Sequence, residues 1–129
     1  MEYPNGLLVE GDKLVVGGWG KLEPDFSTKV PGQLFKLDLK TKQKTPVTPE
    51  PTANIDGLES DGHGGYIVSD YMAGKIMRIG GDGSVTLLKQ LKQGTADIAY
   101  VPAMNLLIVP HMTENKVAGY DISLPGKLP

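Results

Sequence analysis

Three positions in this chain carry an oxygen-bearing side chain at the same point of a recurring pattern. They are Asn5 in "PNGL", Asp56 in "IDGL" and Asp97 in "ADIA", 51 and then 41 residues apart. Carboxylates and an amide carbonyl are hard ligands. Gathered around one axis, they suit a divalent cation held by oxygen alone, calcium first and magnesium or manganese after it. With no cysteine in the chain, thiolate metal sites are excluded. A local reading competes, because Asn-Gly and Asp-Gly are also turn dipeptides whose side chains bond their own backbone. Recurrence in three units keeps the ligand reading beside the turn reading.

A second group falls where the second apolar run of each unit ends: Trp19, Asp70, Tyr71, His111 and Met112. These are candidates to line a pocket. Trp19 has the flat face to stack on a sugar-like substrate, or to pack between neighbouring units. His111, after Pro110, lacks a histidine or cysteine partner and is read as structural or pocket-lining rather than as a metal ligand. His63, in "DGHGG", decorates a hairpin tip. No serine stands in a Gly-x-Ser-x-Gly context or beside a histidine, so serine hydrolase chemistry has no support.

What must position these residues is a set of short strands. Apolar runs of four to seven residues alternate with glycine-rich and aspartate-rich joints. In the second unit the runs are 57–60, 65–69, 75–79 and 84–88, joined by "DGHG", "DYMAG" and "GGDG", which accept positive φ cheaply as hairpins require. Each unit is therefore a four-stranded up-and-down meander, and the units cover about 4–48, 52–91 and 94–122 of a single 129-residue segment. The longer first spacing comes from an insertion, "KLEPDFSTKVP". In a meander, the loop entering the first strand and the loop joining the second to the third lie at one end. This puts Asn5, Asp56 and Asp97 beside the second group, facing a central channel if the first strand is innermost.

A period in the forties with four antiparallel strands is the mark of a β-propeller blade. Tandem hairpins in a sandwich are the alternative, but a sandwich gives no reason for the recurring start. The expected fold is all-β, half of a propeller with three blades. The last blade is incomplete, because "SLPGKLP" makes a poor fourth strand and leaves the outer edge of the strand 116–122 unpaired. Closed propellers have about four to eight blades, so three leave apolar sheet faces in water. Either two copies form a homodimer that completes six blades, or these blades are half of a longer protein.

Composition agrees. Seventeen glycines and ten prolines against two phenylalanines and one tryptophan favour short strands and tight turns. Thirteen basic and fifteen acidic residues leave a charge of -2, and the densest basic stretch, "KLDLKTKQK", reads as a solvated strand face, so nucleic acid is not an expected partner. No apolar run reaches transmembrane length, so a membrane is not an expected partner, and "MEYPNG" does not begin like a signal peptide, which says little about location if the chain is part of a longer one. A soluble chain without cysteine fits a cytoplasmic or a periplasmic or secreted location alike.

"PNGL" opening one blade and "IDGLESDGHGGYIVSDYMAGKIMRIGGDGSV" forming the next resemble the last half of the senescence-marker-protein/gluconolactonase family of six-bladed propellers. The resemblance implies that Asn5 matches that family's asparagine metal ligand. It implies that Asp56 matches its aspartate, which binds the cation and acts as general base in opening a lactone. The family's metal-binding glutamate and its substrate-orienting asparagine and arginine belong to its first three blades. Asp97 stands where the family carries a small polar residue. The implied function is a metal-dependent lactone or ester hydrolase acting on a small molecule once the ring is complete. Related strand patterns in NHL-repeat propellers imply the alternative, a binding propeller without catalysis, and a structural fragment without activity is the third reading.

Overall fold

The computed structural model describes residues 3–25 and 27–123. The stretch 124–129, most of the expected poor fourth strand, lies outside the described residues. Two four-stranded antiparallel sheets and one three-stranded sheet follow one another along the chain. Blade 1 is built from β1 (Pro4–Glu10), β2 (Lys13–Gly18), β5 (Leu34–Asp38) and β6 (Lys44–Pro46). Blade 2 takes β7 (Ile55–Ser60), β8 (Tyr66–Asp70), β9 (Lys75–Ile79) and β10 (Val85–Gln90). Blade 3 has β11 (Ala99–Val101), β12 (Leu106–His111) and β13 (Lys116–Asp121). Every strand pairs antiparallel with the next in its blade, so each sheet is a meander.

The insertion into blade 1 is not a loose loop. It folds as a ribbon of its own, β3 (Gly20–Leu22) against β4 (Thr28–Pro31), and the Gly32 N–H beyond it donates to Ala53 O at the start of blade 2. Among the described residues, no helix is long and apolar enough to cross a membrane.

Alternation along the strands builds two cores. Tyr66 and Val68 of β8 and Met77 and Ile79 of β9 face blade 1, where they meet Val15 and Leu34. Their neighbours Ile67 and Ile76 face the other way and meet Leu107 and Val109 of blade 3. With both of its faces covered, β8 is buried at every residue, which is why "YIVSD" reads as one continuous run. The first strands pack beside one another, β1 against β7 and β7 against β11. They are the inner strands.

Candidate functional site at the blade ends

Asn5 and Asp56 occupy equivalent backbone features. In blade 1 the β1–β2 pairing slips by one residue between Pro4 and Gly6, and in blade 2 the β7–β8 pairing slips between Ile55 and Leu58. Each slip is a β-bulge, a device that re-aims a side chain. The glycines that follow are not turn residues. A Cβ on Gly6 would lie 2.9 Å from Asp56 O, and one on Gly57 would lie 2.6 Å from the Ile98 N atom, so glycine is what lets neighbouring inner strands approach. The turn reading of Asn-Gly and Asp-Gly is corrected accordingly: both dipeptides sit inside strands.

One hydrogen bond recurs at this end of every blade. The backbone N–H groups of Trp19, Tyr71 and Met112 donate to the carbonyls of Tyr3, Asn54 and Gly94, at 2.9, 3.1 and 2.9 Å. The ends of the second strands are thereby fastened to the entries of the first, and the two groups of residues share one end of the molecule. Links also run between blades: Asn54 Nδ2 donates to Trp19 O at 2.7 Å, and Gly94 N–H donates to Tyr71 O at 2.9 Å.

Asp97 departs from the pattern by one residue. Asp70 and His111 are equivalent, since each pairs with the first residue of the third strand, Lys75 and Lys116. Opposite them lie Ile55 and Thr95. Counting on from Ala99↔Ile108, Ile98 falls opposite Val109 just as Leu58 falls opposite Val68. Asp97 therefore holds the position of Gly57, and Ala96 holds that of Asp56. A count of residues along the chain does not see this, because the bulge is the same in both blades while the connection from first to second strand is one residue longer in blade 3, Tyr100 to Leu107 against Ser60 to Tyr66.

Asp97 nevertheless acts on Asp56. Burial raises the Asp56 carboxyl above its ordinary range and the charge of Asp97 raises it further. Glu59, in the middle of β7, is raised by the same two causes in the same order. Strand alternation from the buried Leu58 would have put Glu59 on the face toward blade 3, which is the signal that sequence reading passed over. Replacing Asp97 by asparagine removes the like charge acting on Asp56 and Glu59 and is expected to raise the urea midpoint at pH 7. With folded-state pKa values above the unfolded ones, Asp56 and Glu59 stabilise the fold fully below about pH 4 and lose that contribution as pH rises through the raised values. The advantage of Asp97→Asn should thus grow from pH 4 to pH 7, and coincident unfolding curves at pH 7 would contradict it.

For a divalent cation these donors are right in kind and short in number. Calcium takes about six to eight oxygens. Among the described residues, no three His, Cys, Asp or Glu side chains converge as metal ligands, and one Asp97 oxygen already accepts the Ile98 N–H at 3.0 Å. Asn5 is exposed and lines a shallow pocket of about 330 Å3 with Tyr3, Pro4, Trp19 and Leu22.

The remaining candidates are placed as follows. Trp19 packs against Tyr71 of the next blade, ring centroids 5.5 Å apart, and its buried Nε1 has no hydrogen-bond partner among the described residues. The buried Asp70 carboxylate accepts the Ala73 N–H at 3.0 Å and shapes the turn after β8. His111 is buried, with its Nε2 2.9 Å from Tyr120 Oη, beneath a cavity of about 390 Å3 that also touches Lys92, Glu114 and Lys116. Met112 is exposed. His63 is exposed in the loop between β7 and β8.

No protein-family model matches the chain, and no curated protein matches it. Solved structures do. The virginiamycin B lyase of Staphylococcus aureus is similar over 97% of this chain and 42% of that one, at 19% identity and a TM-score of 0.59. The Pan2 WD40 domain of Neurospora crassa is similar over 97% of this chain and 39% of that one, at 16% identity and a TM-score of 0.63. The chain forms three blades of a β-propeller. An auxiliary nutrient binding protein from Bacteroides thetaiotaomicron VPI-5482 is similar over 92% of this chain and 31% of that one, at 15% identity and a TM-score of 0.61. The propeller segment thus spans less than half the length of each of these proteins, and what it shares with them is architecture.

Proposed function

We propose that this propeller segment carries part of a divalent-cation-dependent lactone or ester hydrolase site in which Asp56 is the proton acceptor. The observation that carries the reading is Asp56 itself, half-buried in a bulge of an inner strand, its carboxyl raised by burial and by Asp97. A carboxylate raised in this way is a better base than one in water. In the proposed step Asp56 takes a proton from the water that attacks the substrate carbonyl. The acyl C–O bond breaks, and the proton passes to the departing alkoxide, so one water is consumed and an acid and an alcohol form. A bound cation would supply polarisation of the carbonyl. Asp56, Asp97 and Asn5 are the residues here that would hold it, with further donors from outside these three blades. The resemblance of "PNGL" and "IDGL" to the gluconolactonase family supports the same assignment.

A second reading, a small-molecule binding propeller without catalysis, is favoured by a different observation. The pocket beside Asn5 is mostly apolar, and the buried indole N–H of Trp19, one of its lining residues, has no partner among the described residues.

Thermal melts with calcium or manganese test the proposal. Binding to the folded state alone stabilises by about 2.7 kcal/mol at a hundred times the dissociation constant. The melting temperature is expected to rise with millimolar cation, and Asp56→Ala is expected to abolish that rise. Lactone hydrolysis, followed by proton release, should fall in the same variant. If the cation leaves the melting curve of the unaltered protein unmoved, the hydrolase reading fails and the binding reading remains.

A further inference from the structure

The two outer flanks of the segment are the two halves of one blade-to-blade contact, and we propose that they dock onto a second copy of the chain, head to tail, to close a six-bladed ring. In blade 2, Leu58, Val68 and Met77 lie opposite one another across β7, β8 and β9, with Tyr66 and Ile79 beside them, and all five are buried against blade 1. The residues at the same register positions of blade 1 are Leu7, Val16 and Phe35, with Leu14 and Leu37 beside them. They are as apolar, but no blade covers that face: Val16 is buried within its own blade, Leu14, Phe35 and Leu37 are partly buried, and Leu7 is exposed. Leu58 is 4% exposed, whereas Leu7 is 60% exposed and the next outward residue of β1, Val9, is 71% exposed.

Blade 3 supplies the complementary half. Ile67 and Ile76 of blade 2 are fully buried against blade 3. Their equivalents on the far side of blade 3 are Ile108 and Val117, flanked by Leu106 and Pro110, and Val117 is 69% exposed. A face of this kind fits the face of another blade. Within this chain, the blade 1 flank of a second copy is such a face. Three blades turn through half of a six-bladed ring, so two copies close with two-fold symmetry and both flanks are covered at once. The proposal stands independently of the activity proposed above.

The junction differs from the internal contacts in one respect. In the contacts between blades 1 and 2 and between blades 2 and 3, glycine is required on the inner strand, at Gly6 and Gly57. Asp97 takes that position on blade 3 and brings a Cβ and a carboxylate to it. The inner strands at the junction must therefore stand further apart. This gives the ring a signature that other dimers lack.

Sedimentation of the full chain from about 1 to 100 μM tests it. The expected particle has twice the 13.8 kDa of the chain. Leu7→Lys and Val117→Lys should each yield folded monomers, both positions being exposed in the single chain. Mixing these two variants should form a heterodimer through the one native junction left. Asp97→Gly should tighten self-association by at least about fivefold, as removal of an overpacked group does. A folded wild-type monomer at 100 μM overturns the proposal, and so does a dimer indifferent to both flank variants. An open series of larger particles would show association without ring closure and overturns it too.

Discussion

Asp61→Ala is expected to be the most destabilising single substitution in blade 2, at about 3–5 kcal/mol, the cost of leaving a buried charge without its partner. The Asp61 carboxylate is fully buried at the mouth of the β7–β8 turn. One oxygen accepts the N–H groups of His63 and Gly65, at 2.6 and 2.9 Å, and the other accepts Arg78 Nε at 2.7 Å. Alanine would orphan two backbone donors and strand the mostly buried guanidinium of Arg78. Burial works to raise the carboxyl's pKa, but the hydrogen bonds from His63, Gly65 and Arg78 outweigh it and hold the group below its ordinary range.

The sign of the pH dependence follows. A carboxyl depressed in the folded state contributes stability above its unfolded value, about 3.9, and loses it as pH falls through the folded value. Urea midpoints of wild type and Asp61→Ala should therefore lie far apart at pH 7 and converge in strong acid. Asp56 and Glu59 act in the opposite direction at higher pH, so wild-type stability should be greatest on the mildly acidic side. A constant gap between the two proteins from pH 7 to pH 2 would show that packing, and not the charge, is what Asp61 provides.

Asp61 also shows how much of the fold was legible. "DGHGG" announced a hairpin joint, and the strands on either side lie within two residues of their expected bounds. Composition and spacing suffice for this, because a strand buried on both faces is a continuous apolar run and its turns need residues tolerant of positive φ. The turn after the second strand makes the same point. Gly74 in blade 2 and Asn115 in blade 3 take positive φ at one equivalent position, immediately before Lys75 and Lys116. Asparagine is among the few other residues that accept that conformation readily.

What depends on contacts between blades was not legible. Nothing in "KLEPDFSTKVP" marks it as a ribbon rather than a loop, since β3 and β4 are only three and four residues long. His111 shares a hydrogen bond with Tyr120, a partner nine residues on and across the β12–β13 pair. Asp97 matched Asp56 in spacing yet matches Gly57 in pairing, because the connection between the first two strands is one residue longer in blade 3, so the second strands, but not the inner ones, keep the spacing read from the sequence. The acidic group of Asp56, Glu59 and Asp97 exists because β7 and β11 lie side by side. Adjacency of inner strands is a property of the ring, not of any one repeat.

That adjacency makes Gly57→Ala the second large effect. Its Cβ would stand 2.6 Å from Ile98 N, 2.7 Å from Ile98 Cγ1 and 2.9 Å from Ser69 Oγ. Overpacking typically costs about 1–3 kcal/mol, and here the nearest atom is backbone, which cannot rotate aside, so the upper end is expected. The buried Ser69 hydroxyl, which accepts the Gly57 N–H at 2.8 Å and donates to Ala96 O at 2.7 Å, ties the two inner strands at that point and would be displaced with them. At Gly6 the added Cβ would meet Asp56 O at 2.9 Å and Leu58 Cβ at 3.0 Å, so Gly6→Ala should cost less. Thermal unfolding of the two variants checks that order. Carboxyl titration by NMR checks the consequence for the site. A Gly57→Ala protein that still folds must hold β11 further from β7. With Asp97 more distant and more water between the strands, the Asp56 carboxyl should fall back toward its ordinary range. An unmoved Asp56 titration beside a lowered melting temperature would show that the close packing of inner strands serves stability alone and does not tune the proposed base.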